Sequence, residues 1–268
     1  MSQKRIHYYG AGQMSEAMIR ASIKKGYVEA ENVSCTDLFP ERIAFLAEQY
    51  GISAANHQAD DIAQADYVIL GVRPQDNIAE IAAEIAPMMK AGATVISIIA
   101  GVTMAQLTDW FGEQRAIVRI IPNTMTDTGL GYSGAVYNSL VEADGVDAFI
   151  CSFGKVMHVQ ESQLDIFTGY GVAGINYVYC FVEALVDSGV LAGLPRDMAR
   201  EIAYENLIGG VEMLKMSGLH PRQLMDINNS PAGVGINGLY ELNKSDFVAG
   251  LQSSVLAAVR RTTELGKK

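Results

Sequence analysis

Several residue types are scarce in this sequence, and each scarcity excludes a class of protein. Its 268 residues include three cysteines, Cys35, Cys151 and Cys180, an odd number without a C-x-x-C pair. This argues against a disulfide framework and favours a reducing, cytoplasmic compartment. The four histidines are widely separated and form neither H-x-x-x-H nor H-E-x-x-H, so we expect no metal site.

Positive charge and uninterrupted apolar runs are also scarce. Lysine and arginine number 20 against 30 aspartates and glutamates, which gives a formal net charge of −10. Nucleic acids and anionic membranes bind basic surfaces, so we expect neither as a partner. The longest apolar run, residues 174–194, contains Glu183 and Asp187 and predicts a buried interface helix rather than a membrane span.

Patterns of hydrolytic and hydroxy-acid chemistry are missing as well. No G-x-S-x-G nucleophile elbow occurs, and no cysteine has a histidine in a suggestive context. Lys155 is the single lysine between Lys90 and Lys215 and falls at a predicted domain boundary. We interpret it as a solvated charge, which ranks a hydroxy-acid dehydrogenase with a catalytic lysine last among the candidate functions.

Apolar residues, at 49% of the sequence, are plentiful and follow alternating strand and helix patterns in the first part of the chain. Apolar runs predict strands at residues 5–9, 32–36, 67–72, 94–99 and 116–121, separated by amphipathic helices. Later patterns predict helices at residues 174–192, 196–217, 220–228 and 246–264. We therefore predict an α/β domain with a mainly parallel sheet over residues 1–160 and an all-helical domain over residues 161–268.

A glycine-rich turn follows the first predicted strand. The segment GAGQMS, residues 10–15, is close to G-x-G-x-x-G/A and lies where a strand meets a helix. Gly10 permits the tight turn, Gly12 lets the backbone approach a pyrophosphate, and Ser15 lets helix and strand pack closely. The N–H groups of the helix N-terminus then face the phosphates. This predicts a Rossmann dinucleotide-binding domain, with a purely structural glycine turn as the alternative.

Asp37 ends the second predicted strand, 22 residues after Ser15. An acidic residue at this place normally accepts hydrogen bonds from the adenosine ribose hydroxyls and repels a 2′-phosphate. The cofactor is therefore expected to be NAD(P)H with a preference for NADH. A capping or solvated aspartate is the alternative, and nearby Arg42 complicates the preference.

A set of motifs in matching order resembles the pyrroline-5-carboxylate reductase family over nearly the whole chain. The motifs are GAGQM, GVRPQ (71–75), VISIIAGVT (95–103), RIIPNT (119–124), a GLPR joint and a final SPAG segment. The resemblance implies an NAD(P)H-dependent oxidoreductase that acts on the C–N bond of a cyclic imine in proline biosynthesis. It also implies a Rossmann domain followed by an all-α dimerisation domain, through which homodimers form and assemble further.

The same resemblance implies which residues bind the cofactor. The positions follow predicted strand ends, where dinucleotides bind in parallel sheets. They are Tyr9, Gly10, Ala11, Gly12, Gln13 and Met14 at the pyrophosphate; Asp37 and Asn56 at the adenosine half; Val72, Arg73 and Pro74 farther along; and Ile99, Ala100, Gly101 and Asn123 near the nicotinamide.

The resemblance weakens at the motifs that face the substrate in the family. The usual S-G-S-G-P-A-Y is GVAGINY (171–177) here, and the usual S-P-G-G-T-T-I is SPAGVGI (230–236). Val234 and Gly235 replace two threonines, of which the second lies against the substrate imine in the family. A site built for a hydrogen bond loses affinity when one partner is removed. A paralogue that reduces a different imine, or that binds the cofactor without turnover as a regulatory protein, therefore stays an alternative.

Substrate-binding candidates lie near these altered motifs. They are Glu161, Gly174, Asn176, Tyr177, Ser230, Val234 and Gly235. Capping or core packing is the alternative role for the polar ones. No catalytic residue is assigned, since a protonated imine is already electrophilic and hydride transfer is the cofactor's own chemistry.

Overall fold

The chain divides into two units in a computed structural model, which describes residues 4–54 and 58–266. Unit 1 runs to Val172 and takes in the chain again from Ala258, whereas unit 2 is Ala173–Ala257. This division falls later than the predicted boundary after residue 160. The reason is that the Tyr132 ring packs edge-on against Phe167 at 5.7 Å, and its hydroxyl donates to the Gly171 carbonyl at 3.0 Å.

Unit 1 is built on an eight-stranded sheet of order β3-β2-β1-β4-β5-β6-β7-β8. The strands are β1 Ile6–Tyr9, β2 Val33–Thr36, β3 Ser53–Ala54, β4 Tyr67–Leu70, β5 Thr94–Ser97, β6 Ala116–Pro122, β7 Tyr132–Tyr137 and β8 Lys155–His158. β1 to β6 are parallel, β7 is antiparallel to β6, and β8 is parallel to β7. The five predicted strands and the mainly parallel sheet are confirmed; β3, β7 and β8 were not predicted.

Helices cover both faces of the sheet, so the central strands are apolar on both sides. In unit 1 they are α1 Gln13–Lys24, α2 Pro40–Tyr50, α3 Gln58–Gln64, α4 Ile78–Ile85, α5 Met104–Phe111, α6 Ala143–Cys151 and α7 Leu164–Phe167. Successive residues of β4 alternate between faces: Ile69 packs in the core layer beneath α1 and α6, while Val68 and Leu70 pack beneath α4 and α5. This double coverage explains why β4 reads as a continuous apolar run.

Unit 2 is helical throughout. Its helices are α8 Gly174–Leu191, α9 Arg196–Ser217, α10 Pro221–Asn228, α11 Val234–Asn243 and most of α12 Phe247–Leu265, whose last turns belong to unit 1. The four predicted helices are confirmed, and α11 was missed because its glycines and asparagines suggested a loop. Buried apolar residues are few, and the cluster Val186, Ala199 and Ala203 joins α8 to α9.

One helical stretch, Glu161–Leu191, is long and apolar enough to cross a membrane by length and composition, which is weak evidence for a span. Two acidic residues within it, Glu183 and Asp187, lie 3.9 and 2.9 Å from the guanidinium of Arg196. The side chains of both ion pairs are exposed in the single chain.

His7 on β1 introduces a pH dependence into the sheet. Its Nδ1 lies 2.9 Å from Ser34 Oγ and its Nε2 3.1 Å from Thr36 Oγ1. The side chain is buried, and burial lowers the pKa of His7 from 6.5 to about 4. The imidazole is therefore neutral in the folded protein throughout the mildly acidic range.

We expect the free energy of unfolding to fall as the pH drops from about 6.5 to about 4. The unfolded chain binds a proton at His7 in this window while the folded chain does not, a difference of about 3 kcal/mol when complete. Urea titrations of the wild type and of His7→Gln across this range measure the effect. In the variant the free energy of unfolding should depend less steeply on pH within this range. An unchanged pH dependence would contradict the assignment to His7.

Candidate functional site

The carboxyl ends of the parallel strands meet at one edge of the sheet, with the strand order reversing between β1 and β4. In doubly wound sheets ligands bind at such a switch point. All the predicted cofactor positions within the described residues follow these strands; Asn56 lies outside the described residues. They are Tyr9–Met14 at β1, Asp37 after β2, Val72–Pro74 after β4, Ile99–Gly101 after β5 and Asn123 after β6.

The turn after β1 packs directly on the turn after β4. Gly10 has φ +98°, and a Cβ there would lie 2.6 Å from the carbonyl carbon of Gly71 and 2.8 Å from the nitrogen of Val72. The Ser15 hydroxyl donates to the Gly10 carbonyl at 2.6 Å and fixes the turn against α1. Gly10 and Ser15 thus perform the packing roles that the motif predicts.

Gly12 leaves space where a phosphate would need it. A Cβ on Gly12 would meet nothing within 4 Å, and α1 begins at the next residue without a side-chain cap. The first N–H groups of α1 are therefore open to a ligand, and the helix dipole favours an anion there. This cradle fits a dinucleotide pyrophosphate.

Asp37 is held by the backbone of the same turn. Its Oδ2 accepts from the N–H of Ala11 at 2.8 Å, and its Oδ1 accepts from the N–H of Phe39 at 3.1 Å. The carboxylate is half-buried at the end of β2, the place from which an acidic residue reaches the adenosine ribose.

A network of charged side chains beside Asp37 was not predicted. Arg42 donates from Nε to the Ala11 carbonyl at 2.7 Å and from its terminal nitrogen to the carboxylate of Glu16. Glu16 also accepts from the Tyr50 hydroxyl at 2.7 Å and lies 3.6 Å from Arg20. The sequence identified Arg42 as nearby, but nothing in the pattern of α1 marks Glu16.

Two of the predicted cofactor residues direct their side chains to other partners. The Tyr9 hydroxyl donates to Glu84 on α4 at 3.4 Å, and the Arg73 guanidinium pairs with Asp76 at 3.0 Å.

Two of the residues predicted to lie near the nicotinamide have different surroundings: Gly101 is closely packed, whereas Asn123 has a hydrogen-bond donor without a partner among the described residues. Gly101 has φ +84°, and a Cβ there would lie 2.7 Å from the nitrogen of Gly266, just beyond α12. Asn123 is 1% exposed, and its Oδ1 accepts from the N–H groups of Tyr132 and Met125. Its Nδ2 has no partner among the described residues. A buried amide donor left open in this way fits an acceptor on a ligand.

Glu161 is engaged within unit 1. One carboxylate oxygen accepts from Arg119, which is 3% exposed, and from the N–H of Met104 at 2.9 Å. The other oxygen is buried without a partner among the described residues. Glu161 therefore neutralises a buried guanidinium and caps α5, whereas its contact with a substrate stays a prediction.

The candidates of unit 2 surround the start of α8 and the start of α11. Gly174 opens α8 with free space at its Cβ position, and the Tyr177 hydroxyl donates to the Ser254 carbonyl at 3.2 Å. Asn176 is exposed, and Val234 is 94% exposed. The Ser230 hydroxyl lies so close to Gly233 that a Cβ on Gly233 would collide with its Oγ.

The space at Gly235 is filled by an amide. A Cβ on Gly235 would collide with Oδ1 of Asn229. Asn229 Nδ2 donates to the Met225 carbonyl at 2.8 Å, which turns Oδ1 towards Gly235. Asn229 directly precedes the altered SPAGVGI motif in the sequence, and nothing in the pattern indicates this pairing.

Comparison with known proteins decides the family. A family model described as pyrroline-5-carboxylate reductase dimerisation matches residues 161–265, and one described as NADP oxidoreductase, coenzyme F420-dependent, matches residues 5–101. A pyrroline-5-carboxylate reductase of Glycine max is 32% identical over 263 residues, which cover 97% of this chain and 95% of the relative. The chain belongs to the pyrroline-5-carboxylate reductase family.

Other members are similar over the full length. The pyrroline-5-carboxylate reductase of Methanosarcina acetivorans is 30% identical over 271 residues, covering all of both chains (100%). The crystal structure of pyrroline carboxylate reductase from Plasmodium falciparum with NADP bound superposes with a TM-score of 0.89 at 26% identity, covering 99% of each chain. The resemblance stated from the motifs is confirmed, as is the order of a Rossmann domain and a helical dimerisation domain.

Metal-ligating side chains do not cluster in the part of the chain that the structure describes. Across residues 4–54 and 58–266, no group of three histidine, cysteine, aspartate or glutamate side chains is placed to hold a metal ion.

Gly10 and Gly12 form a matched pair that separates folding from cofactor binding. We expect Gly10→Ala to lower the free energy of unfolding by about 2 kcal/mol or more, because of its φ and its contact with Gly71. Gly12→Ala should change it by less than about 1 kcal/mol, as its backbone suits alanine and its Cβ meets nothing. Chemical denaturation measures both changes.

The same pair should differ in binding. Gly12→Ala places a methyl group in the proposed pyrophosphate cradle and should weaken NADH binding at least about tenfold, measured by nucleotide fluorescence titration. If a folded Gly12→Ala protein bound NADH with wild-type affinity, the turn at Gly12 would not be the pyrophosphate site.

Proposed function

We propose that the protein is an NAD(P)H-dependent reductase that converts the cyclic imine pyrroline-5-carboxylate to proline, as the names of its relatives indicate for them. The observation that carries the proposal is the open cradle at Gly12 beside the fixed carboxylate of Asp37, in a chain 32% identical to such a reductase over 97% of its length. The reaction is the reduction of a C=N bond in amino-acid biosynthesis.

The residues of unit 1 bind and orient the cofactor. Bound nicotinamide supplies the hydride. The N–H groups at the start of α1 hold the pyrophosphate, Asp37 accepts from the ribose, and Asn123 Nδ2 donates to the nicotinamide end. Because a protonated imine is already electrophilic, the site needs no acid–base dyad. Orientation and exclusion of water are then the main contributions of the protein.

The substrate end is proposed to use a different polar group from that of the family. Gly235 offers no hydroxyl, but Asn229 Oδ1 occupies the space beside its Cα. An amide oxygen accepts a hydrogen bond from an iminium N–H as a hydroxyl oxygen does. This supports turnover with pyrroline-5-carboxylate or a closely related imine over a regulatory protein without turnover.

The preference for NADH rests on Asp37. Its carboxylate is fixed by two backbone N–H groups, so it cannot move away from a 2′-phosphate without losing both bonds. A fixed negative charge at this place favours a ribose hydroxyl over a phosphate.

A homodimer through the helical unit is the proposed assembly. Large apolar side chains are exposed along α8 and α9, among them Val178, Tyr179, Leu191, Ile208, Val211 and Met216. Exposed apolar patches of this kind mark interfaces. With a net charge of −10 and ion-paired acidic residues on α8, we propose a cytoplasmic protein that binds neither nucleic acid nor membrane.

Product analysis with a panel of cyclic imines tests the function. With pyrroline-5-carboxylate and NADH we expect the cofactor to be oxidised, measured by the loss of the near-ultraviolet absorbance of the reduced nicotinamide, and an equimolar amount of proline by chromatography. A five-membered imine without the carboxylate is the control and should react more slowly. If no imine is reduced while NADH binds normally, the regulatory alternative replaces the reductase.

Light scattering tests the assembly. We expect a mass of at least twice the 28.9 kDa of one chain at micromolar concentration. Val211→Glu, on α9, places a charge on the proposed interface and should shift the protein towards monomers. Leu140→Glu in unit 1 is the matched control, since the two side chains are 48% and 47% exposed. A wild-type monomer would reject the dimer.

A further inference from the structure

Arg42 carries a guanidinium beside the adenosine end of the proposed cofactor site, and two of its three nitrogens are already bound to partners. Nε donates to the Ala11 carbonyl at 2.7 Å, while the Ala11 N–H donates to Asp37 at 2.8 Å. Arg42 and Asp37 therefore both bind the backbone of Ala11, Arg42 at its carbonyl and Asp37 at its N–H. A terminal nitrogen of Arg42 donates to the Glu16 carboxylate.

Glu16 is itself firmly held. Its side chain is 12% exposed, the Tyr50 hydroxyl donates to it at 2.7 Å, and Arg20 lies 3.6 Å away. Burial alone would raise the pKa of Glu16, but hydrogen bonds from Tyr50 and Arg42 hold that pKa below its ordinary value. The carboxylate is therefore charged at neutral pH and keeps Arg42 paired.

The other arginine of the cluster is occupied too. Arg20 makes a two-pronged contact with Asp127, at 2.8 and 2.7 Å. The charges of the cluster sum to −1, from Asp37, Glu16, Asp127, Arg20 and Arg42. A 2′-phosphate carries nearly two negative charges and is bound by arginine where NADPH is used. Arg42, the guanidinium that contacts the same turn as Asp37, already binds a carboxylate.

We propose that Glu16 is a specificity-determining residue that selects NADH by withholding Arg42 from the 2′ position of the cofactor. Asp37 receives the ribose hydroxyls, and Glu16 removes the nearby cation that would otherwise attract a phosphate. Selectivity thus combines an attractive contact for one cofactor with a missing contact for the other. The inference rests on the proposed function, because it requires a dinucleotide at this edge of the sheet.

Calorimetric binding of 5′-AMP and 2′,5′-ADP to the full chain tests this, since the two probes differ only by the 2′-phosphate. The wild type should bind 5′-AMP at least as tightly. Glu16→Gln keeps the shape of the side chain but removes its charge, which releases Arg42. The ratio of the two Kd values should then shift about five- to tenfold towards 2′,5′-ADP. Asp127→Asn is the control, because Asp127 contacts Arg20 rather than Arg42, and should shift the ratio less than about twofold.

Arg42→Met decides whether the released arginine is the cause. In the wild-type background this change should leave the ratio within about twofold, because Arg42 is already withheld. In the Glu16→Gln background it should abolish the gain. A gain that survives Arg42→Met, or no gain in a folded Glu16→Gln protein, overturns the proposal.

Three further outcomes keep the test decisive. If Glu16→Gln does not fold, as judged by thermal melting, Arg42→Met alone suffices: a tenfold loss of 2′,5′-ADP binding would show that Arg42 already serves a phosphate and would overturn the proposal. If the wild type binds neither probe, the dinucleotide site itself is wrong and the proposed function fails with it. Binding of both probes with an unchanged ratio rejects only the role of Glu16.

Discussion

The close approach of two backbone turns, at Gly10 and Gly71, is the constraint on which the site depends. A β-carbon at Gly10 would meet the backbone of Gly71, and one at Gly71 would meet the Ser15 hydroxyl. β1 and β4 can therefore end side by side, Tyr9 opposite Leu70, only because both turns are glycine. That contact fixes where α1 begins. The phosphate-facing N–H groups and the position of Glu16 follow from it.

The sequence predicted the elements whose local pattern agrees with their environment. Five parallel strands were predictable because burial on both faces leaves continuous apolar runs, whereas the four helices and the glycine turn were predictable from helical spacing and from the positions of glycine and proline. β7 was not predicted, because Gly134 interrupts its apolar pattern. A Cβ at this position would lie 2.8 Å from the Phe167 ring, so a tertiary contact requires the glycine. α11 was missed for a related reason. Its glycines suggest a loop, while the helix begins at Val234 and is supported by the Asn237 amide, which donates to the carbonyl of the N-cap residue Gly233 at 2.8 Å.

The residues of the candidate site also differ in whether local sequence or distant contacts determine their roles. Gly10, Gly12 and Asp37 were predicted because their roles belong to the backbone of a known turn. The partners Glu16 and Arg42 lie 26 positions apart on different helices, so no spacing rule connects them. Long-range pairs of this kind set the electrostatics of a site, and a single sequence does not identify them.

The amide of Asn229 and the bare Cα of Gly235 share one small volume, and this has a consequence for redesigning the segment. A β-carbon at 235 and the present Asn229 conformer exclude each other. A threonine introduced at 235 alone would therefore displace the amide oxygen, and Asn229 would have to give up its bond to the Met225 carbonyl or turn within it. Judged alone, the glycine looks like a missing hydroxyl. Judged as a pair, the two positions offer room for one hydrogen-bonding group at a time, so restoring the family's threonine requires a smaller residue at 229 as well.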